Sequence, residues 1–189
     1  MKFIGYLMQE HRTIENTMKM FELEIKRISE ENRIDPISMY DSIDFIRTYT
    51  DLVHQGKEED ILFRELSKKD LLPEHAKIMN DLKKEHIISE NIVNKWMAAN
   101  NRYLDEEDTF QKFISYLKEL TQFYPQHIKK EEKDFYIPIQ NYFGTEENAK
   151  MILEFVEFDK NILHWKYRKV ETVLKERLLK SGYDSVLKQ

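Results

Sequence analysis

Histidine and glutamate recur four residues apart at four separate places in the 189-residue sequence. The four pairs are His11/Glu15, His54/Glu58, His86/Glu90 and His127/Glu131. A spacing of four residues places both side chains on the same face of an α-helix. Imidazole nitrogens and carboxylate oxygens are ligands that first-row transition metals accept. If the four pairs meet at one point, the sequence predicts a metal site there.

Simpler explanations exist for any one of these pairs. A single histidine on an apolar helix face is most often a hydrogen-bonded core residue, and a single His-x-x-x-Glu pair is commonly exposed. Four pairs, one on each of four predicted helices, favour metal ligation instead. Two further histidines lie outside the pattern. His75 follows a proline at a predicted helix start and is predicted to be a surface or capping residue, whereas His164 either approaches the site or packs or faces solvent.

Few helix-breaking residues interrupt the chain, since glycine and proline number only four each. Long helices joined by short turns are therefore expected. The breakers divide the sequence into helices over about 3–31, 36–69, 73–100, 106–136 and 145–180. Asp35, Asp105 and Thr145 are the expected N-caps. Pro125 lies inside the fourth helix and is expected to kink it or to free a carbonyl group.

The residues around the histidines indicate that the histidines face a core. Most residues four and seven positions before each histidine, and seven positions after it, are apolar. The histidines lie at similar distances from the first two predicted turns, whereas His127 is farther from the third turn than His86 is. If the kink at Pro125 and the extended third turn absorb this offset, antiparallel helices bring all four histidines to one level. The predicted architecture is all-α: an up-down four-helix bundle over residues 1–140, with residues 141–189 as a C-terminal helical extension packed on it.

Composition and charge restrict the remaining function classes. The net charge of −5 argues against a nucleic-acid-binding surface, which is normally basic. The sequence contains no cysteine, which excludes disulfides, zinc–thiolate sites and iron–sulfur ligation. No apolar run approaches the roughly 20 residues of a membrane span, and the first residues turn polar too soon for a signal peptide. A soluble cytoplasmic protein is predicted, with a homodimer as one option.

The segments EHRTIE, HQGKEEDILF, KKEHIISE and YPQHIKKEEKDFYIP resemble the hemerythrin-like HHE cation-binding family. The resemblance extends over about residues 1–140. It implies a centre of two iron ions, with or without an oxo or hydroxo bridge, in which Glu58 and Glu131 are bridging ligands. The implied iron ligands are His11, His54, Glu58, His86, His127 and Glu131. Glu15 and Glu90 have the geometry for extra ligation or for hydrogen bonds to the ligands.

The sequence departs from the pattern of the oxygen-carrying hemerythrins on two helices. Those proteins have His-x-x-x-His on the third helix, where this sequence has His86 and Glu90. They have His-x-x-x-x-Asp on the fourth helix, where this sequence has His127 and Glu131. One iron therefore loses an imidazole, and the greater carboxylate character argues against reversible oxygen carriage.

Two function classes follow from the predicted site. The first is a di-iron protein that binds, senses or reacts with oxygen, nitric oxide or redox signals, or that handles iron. The second is a metal-stabilised bundle that acts as an interaction or dimerisation module without catalysis. Its contact surface would be the fifth helix, where MILEFVEFDKNILHWKYRKV is rich in large apolar side chains. Both classes agree with the sequence, so catalysis is left open.

Overall fold

The computed structural model describes residues 2–102 and 109–180, which form five helical segments and no strand. We number these segments α1 to α5. α1 is Ile4–Glu31, α3 is Pro73–Arg102 and α5 is Thr145–Lys180. α2 begins as Pro36–Phe45 and α4 begins as Thr109–Lys130, and both continue beyond these bounds. The predicted all-α bundle is confirmed, while the predicted cap Asp105 and the helix start near Glu106 lie outside the described residues.

α2 and α4 each pass from α-helical to π-helical hydrogen bonding in the middle of the bundle. The π-helical stretches are Ile46–Gln55, Glu58–Phe63 and Glu131–Tyr136. The segments that follow them are Arg64–Leu66 in α2, and Ile137–Ile139 and the 3-10 turn Gln140–Tyr142 in α4. Such turns are rare and often occur at functional sites. α4 therefore extends past its predicted end near residue 136.

The residues predicted to cap or kink the helices behave only partly as expected. The Asp35 carboxylate accepts a hydrogen bond at 3.0 Å from the backbone N–H two residues later, as expected for an N-cap. Thr145 is the first residue of α5 rather than its cap. The cap position belongs to the preceding Gly144, whose N–H donates to the Glu147 carboxylate at 2.9 Å. The helix of α4 continues through Pro125 without a break.

Apolar side chains form two core clusters that lie on either side of the predicted histidine positions. The first, which we call the upper cluster, includes Ile14, Met18, Phe21, Val93, Trp96, Phe113 and Leu117. The second, the lower cluster, includes Leu7, Leu62, Phe63, Leu82, Phe135 and Phe155. Along α1 the chain passes from Leu7 through His11 to Ile14, and along α3 it passes from Leu82 through His86 to Val93. The histidines thus lie between two apolar layers.

α5 packs its N-terminal half on α2 through side chains of the lower cluster, among them Phe155 and Phe158. At Gly56 of α2 the contact is so close that a Cβ atom would lie 2.7 Å from the Phe158 ring. The C-terminal half of α5 is more exposed, and Tyr167 and Leu174 are 66% and 52% exposed. Within the described ranges no helix is both long and apolar enough to cross a membrane.

Candidate metal centre

Four histidines and two glutamates meet between the two core clusters, in what we call the histidine layer. They are His11 from α1, His54 and Glu58 from α2, His86 from α3, and His127 and Glu131 from α4. Each of these residues is at most 4% exposed. The Nε2 atoms of His11 and His54 are 2.9 Å apart, which shows how closely the helices converge. The six predicted ligands therefore lie together, and their binding of metal stays a prediction.

Glu131 reaches both sides of the histidine layer. Its Oε2 atom lies 3.0 Å from His11 Nε2, and its Oε1 atom lies 2.9 Å from His127 Nε2. Two groups have ligand atoms within 4.8 Å of one another: His11, His54 and Glu131 form the first, and His86, His127 and Glu131 form the second. Because Glu131 belongs to both groups, its carboxylate has the geometry to bridge two cations.

Glu58 lies between the same two groups but faces them with one oxygen. Its Oε2 atom is 3.3 Å from His86 Nε2 and 3.7 Å from His54 Nε2. Its Oε1 atom accepts a hydrogen bond from the Tyr136 hydroxyl at 2.6 Å. Glu58 therefore reaches both groups with one oxygen, while the other is already engaged by a buried phenol.

A carboxylate holds the second ring nitrogen, Nδ1, of every histidine in the layer. The distances lie between 2.6 and 3.0 Å, for the pairs His11–Glu132, His54–Glu10, His86–Glu59 and His127–Glu85. Each glutamate comes from a different helix than its histidine. The pairs link α1 to α2, α2 to α3, α3 to α4 and α4 to α1, so they form a closed ring around the bundle. A carboxylate at Nδ1 fixes the proton there and leaves the Nε2 lone pair directed at the centre.

Basic side chains contact three of the four glutamates of this ring from outside. The contacts are Arg12 with Glu132, Lys57 with Glu10, and Lys130 with Glu85. Glu15, which the sequence offered as an additional ligand, instead pairs with Arg12 at 2.5 Å and lies farther out than Glu132. Glu90, the other such residue, is exposed on α3. The hydrogen-bonding role predicted for Glu15 and Glu90 is therefore filled by the four glutamates of the ring.

A sequence signal for these four glutamates exists in the form of two doublets. Glu10 and Glu85 directly precede His11 and His86, giving EH twice. Glu59 and Glu132 directly follow Glu58 and Glu131, giving EE twice. The four-residue spacing led us to predict Glu15 and Glu90. In the structure, however, the Nδ1 atom of each histidine in the layer points to a neighbouring helix rather than along its own helix.

Several buried polar atoms of the histidine layer lie close to an oppositely charged group but make no hydrogen bond of good geometry. They are Glu58 Oε2, His86 Nε2, His127 Nε2 and both carboxylate oxygens of Glu131. A fully unsatisfied buried polar group costs roughly 1–3 kcal/mol, so the convergence of these atoms on one space favours the binding of a cation there. Imidazole nitrogens with carboxylate oxygens and no sulfur suit iron, manganese or zinc. The residues present therefore fit a pair of such cations.

The electrostatics of the layer favour positive charge. Burial alone would lower the pKa of His11 and of His127, but the Glu131 carboxylate opposes this and raises each pKa to about 9. For His86 the carboxylates of Glu131 and Glu58 outweigh burial and raise the pKa to about 12. Burial would raise the pKa of Glu131, but the surrounding histidines hold it well below its usual range. Glu131 thus stays ionised, and protons and metal cations compete for the Nε2 atoms.

A second buried polar cluster, which no sequence motif marks, lies beside the layer. The Gln55 amide donates to Ser89 Oγ at 3.3 Å, and Ser89 donates to the backbone carbonyl of His86 at 2.9 Å. Nearby, burial and the Glu90 carboxylate raise the pKa of Asp51 to about 7. Asp51 and His86 both line a cleft of about 860 Å³ between α2, α3 and the C-terminal half of α5. The cleft therefore connects the surface with one edge of the histidine layer.

The two histidines outside the four pairs lie away from the layer. His75 lies near the start of α3, where its Nδ1 atom is 2.8 Å from the Tyr142 hydroxyl. His164 is exposed on α5. Of the alternatives predicted from the sequence, it therefore faces solvent and does not approach the site. Neither residue belongs to the two groups of candidate ligands.

Four helices that surround a buried layer of histidines and glutamates define a helical bundle with a candidate metal site at its centre. The sequence matches the family described as Hemerythrin HHE cation binding domain over residues 2–137. This match covers more than half of the chain and includes the whole histidine layer, and the chain belongs to this family. Comparisons with curated proteins and with solved structures found no match. The family resemblance predicted from the motifs is thus confirmed.

Proposed function

We propose that this protein is a non-haem di-iron protein whose metal ligands are the six residues of the histidine layer. The observation that carries the proposal is the position of Glu131, whose two oxygens lie 3.0 and 2.9 Å from histidines of opposite groups. A carboxylate placed in this way offsets the repulsion between two adjacent cations. The description of the family as a cation-binding domain supports the binding of metal.

In this proposal the two histidine groups hold one iron ion each. His11 and His54 are the terminal ligands of the first ion, and Glu131 and Glu58 lie between the two. The ring of glutamates at the Nδ1 atoms orients the imidazoles, and the two apolar clusters keep bulk water away. Bound iron supplies one-electron redox chemistry and open coordination positions for a small molecule.

We further propose that the centre binds, senses or reacts with a diatomic ligand such as oxygen or nitric oxide, or takes part in iron handling. The cleft bordered by His86 and Asp51 supports the approach of a small molecule or ion from the surface. The Glu58 and Glu131 carboxylates are hard donors that favour higher oxidation states of iron. This ligand set supports chemistry or sensing more than reversible oxygen carriage.

Metal analysis and optical spectroscopy of protein purified without oxygen test this function. The expected result is two iron ions per chain and a spectral change when oxygen or nitric oxide is added to the reduced protein. Protein from iron-replete cells that contains almost no metal would contradict the di-iron proposal. Bound iron that shows no spectral change with either gas would contradict the proposed reactivity but not the metal site.

A second candidate function is a metal-stabilised interaction or dimerisation module. The observation that favours it is the exposure of large apolar residues on α5, where Leu153, Tyr167 and Leu174 are 69%, 66% and 52% exposed. These residues are separated by multiples of seven, which places them on one side of the helix, as in paired helices. For this function we expect a molar mass that rises with protein concentration in light scattering, together with iron that does not respond to oxygen.

A further inference from the structure

Lys57 of α2 is almost completely buried, with 1% of its side chain exposed. Its ammonium group contacts the carboxylate of Glu10 in α1 and lies 2.5 Å from Oδ1 of Asp159 in α5. A buried ammonium group is strongly unfavourable unless carboxylates pair with it. Lys57 therefore joins three helices through two ion pairs.

The same contacts continue into the histidine layer. Glu10 offers one oxygen to Lys57 and the other to Nδ1 of His54, at 3.0 Å. Burial would raise the pKa of Glu10, but His54 and Lys57 hold it below its usual value, so the carboxylate remains ionised. A continuous series of charged contacts thus runs from Asp159 through Lys57 and Glu10 to a candidate metal ligand.

Steric packing fixes α5 beside this series. A Cβ atom on Gly56 would lie 2.7 Å from the Phe158 ring, so the two helices touch at that point. Gly56 directly precedes Lys57, and Phe158 directly precedes Asp159. The close contact and the ion pair therefore involve the same turn of each helix, and a displacement of α5 would disturb both.

We infer that Asp159 is a positioning residue for the metal centre, and that the seating of α5 on α2 and metal binding strengthen each other. This inference rests on the proposed metal binding. A cation at Nε2 of His54 makes the Nδ1 proton more acidic and strengthens its hydrogen bond to Glu10. Lys57 competes for the same carboxylate, and Asp159 limits this competition by sharing the lysine's charge. Without Asp159, unbalanced positive charge near the cation weakens metal binding.

A second ion pair between α2 and α5 provides a matched control. Arg64 contacts Glu154, and Arg64 also contacts Glu65 rather than a glutamate of the ring. Glu154→Gln therefore removes an α2–α5 ion pair without interrupting the series that leads to His54. Because the side chain of Asp159 is 48% exposed, Asp159→Asn is expected to leave the packing of α5 intact.

The test is an anaerobic titration of metal-free wild type and variants with Fe²⁺ in competition with a chelator. Asp159→Asn is expected to weaken iron binding by about fivefold or more, the lower end of typical coupling between sites. Glu154→Gln should leave the affinity unchanged, because the Arg64–Glu154 pair is partly exposed and such pairs add little to the seating of α5. Asp159→Glu should restore the affinity because the charge returns. Hydrogen exchange of the backbone of α5 should slow when iron is added to the wild type.

Two outcomes would overturn the inference while leaving the proposed function in place. One is equal iron affinity in wild type and Asp159→Asn, or an equal loss in Asp159→Asn and Glu154→Gln. The other is hydrogen exchange in wild-type α5 that does not change with iron, a measurement that needs no variant. Failure of the wild type to bind iron at all would overturn the proposed function, and the inference with it.

Discussion

The two candidate bridging residues use their oxygens differently. Glu131 directs both oxygens at the histidine layer, whereas Glu58 shares one of its oxygens with Tyr136. The geometry therefore assigns Glu131 the larger part in holding two cations together. A substitution at this residue is the most direct way to test whether the cations share ligands.

Glu131→Ala is expected to lose both metal ions, because its carboxylate belongs to both groups of ligands. His164→Ala is the matched control and should keep both ions, since His164 is exposed on α5. Metal content of the two variants, purified in parallel and measured by mass spectrometry, checks this. Equal metal loss in both would show that α5 contributes a ligand and that the proposed ligand set is incomplete.

The raised pKa of Asp51 leads to a separate prediction about how stability depends on pH. Burial and Glu90 raise its pKa from 3.8 to about 7 in the folded protein. The carboxyl group therefore contributes to stability below about pH 4, and the contribution is lost as the pH rises through about 7. Asp51→Asn should melt several degrees higher than wild type at pH 8 and at the same temperature near pH 4. Thermal melts of metal-free protein test this, and a difference that does not vary with pH would contradict it.

At the scale of the elements, the contact between α2 and α5 depends on the missing side chain at Gly56. Gly56→Ala is expected to lower the free energy of unfolding by about 1 kcal/mol. The clash with Phe158 costs about 1–3 kcal/mol, and the better helix propensity of alanine returns about 1 kcal/mol. Urea denaturation measures the change. The double variant with Phe158→Leu should recover part of the loss, and a Gly56→Ala protein as stable as wild type would show that α5 is loosely seated.

The sequence was sufficient to predict most helices but not their internal geometry. Breakers place both ends of α1 and the starts of α3 and α5 within a few residues of their observed positions, and the cap at Asp35 places the start of α2. The π-helical stretches that begin at Glu58 and Glu131 could not be predicted, because such turns depend on tertiary contacts rather than on local residue preferences. The end of α4 was missed for a related reason, since Pro138 at the start of a helical turn does not stop the chain from continuing as a helix.

The candidate ligands were predictable because their spacing is a local property of each helix. The glutamates that hold their Nδ1 atoms were not, although Glu10 and Glu85 stand directly beside histidines in the sequence. Which histidine each glutamate serves depends on the order of the helices around the bundle, which one helix alone does not reveal. The cleft beside Asp51 likewise depends on where the second half of α5 lies.

For the whole molecule, the two apolar clusters should hold the bundle together without metal. We expect the metal-free protein to remain helical but to melt at a lower temperature than the iron-loaded protein, because binding favours the folded state. Circular dichroism melts at fixed free iron concentration test this. Identical melting temperatures at neutral pH, with metal shown to be bound, would contradict a buried shared site.

The pKa values of the histidines set the pH range of this stabilisation. His11 and His127 have a pKa of about 9 in the fold, so protons compete with iron below that pH. The same raised pKa values stabilise the metal-free fold fully below about pH 6.5, and that contribution is lost as the pH rises through about 9. The difference in melting temperature between loaded and metal-free protein should therefore widen from pH 6 to pH 9.

The ring of histidine–glutamate pairs is unchanged when α1 and α2 exchange places with α3 and α4. Under this exchange Glu10–His54 corresponds to Glu85–His127, and Glu59–His86 corresponds to Glu132–His11. The lysines Lys57 and Lys130, which contact Glu10 and Glu85, correspond as well. The centre therefore has approximate twofold rotational symmetry, as if it were built from two copies of one helical hairpin.

One oxygen atom at the centre of the site departs from this symmetry. Phe63 in α2 and Tyr136 in α4 occupy corresponding positions, and each ring stacks on a histidine of the layer, with centroids 6.0 and 5.5 Å apart. The Tyr136 hydroxyl donates to Glu58, whereas Phe63 has no hydroxyl to offer Glu131. Two cations bound in this approximately symmetric frame would therefore be inequivalent, and the phenolic oxygen of Tyr136 would contribute to the difference between them.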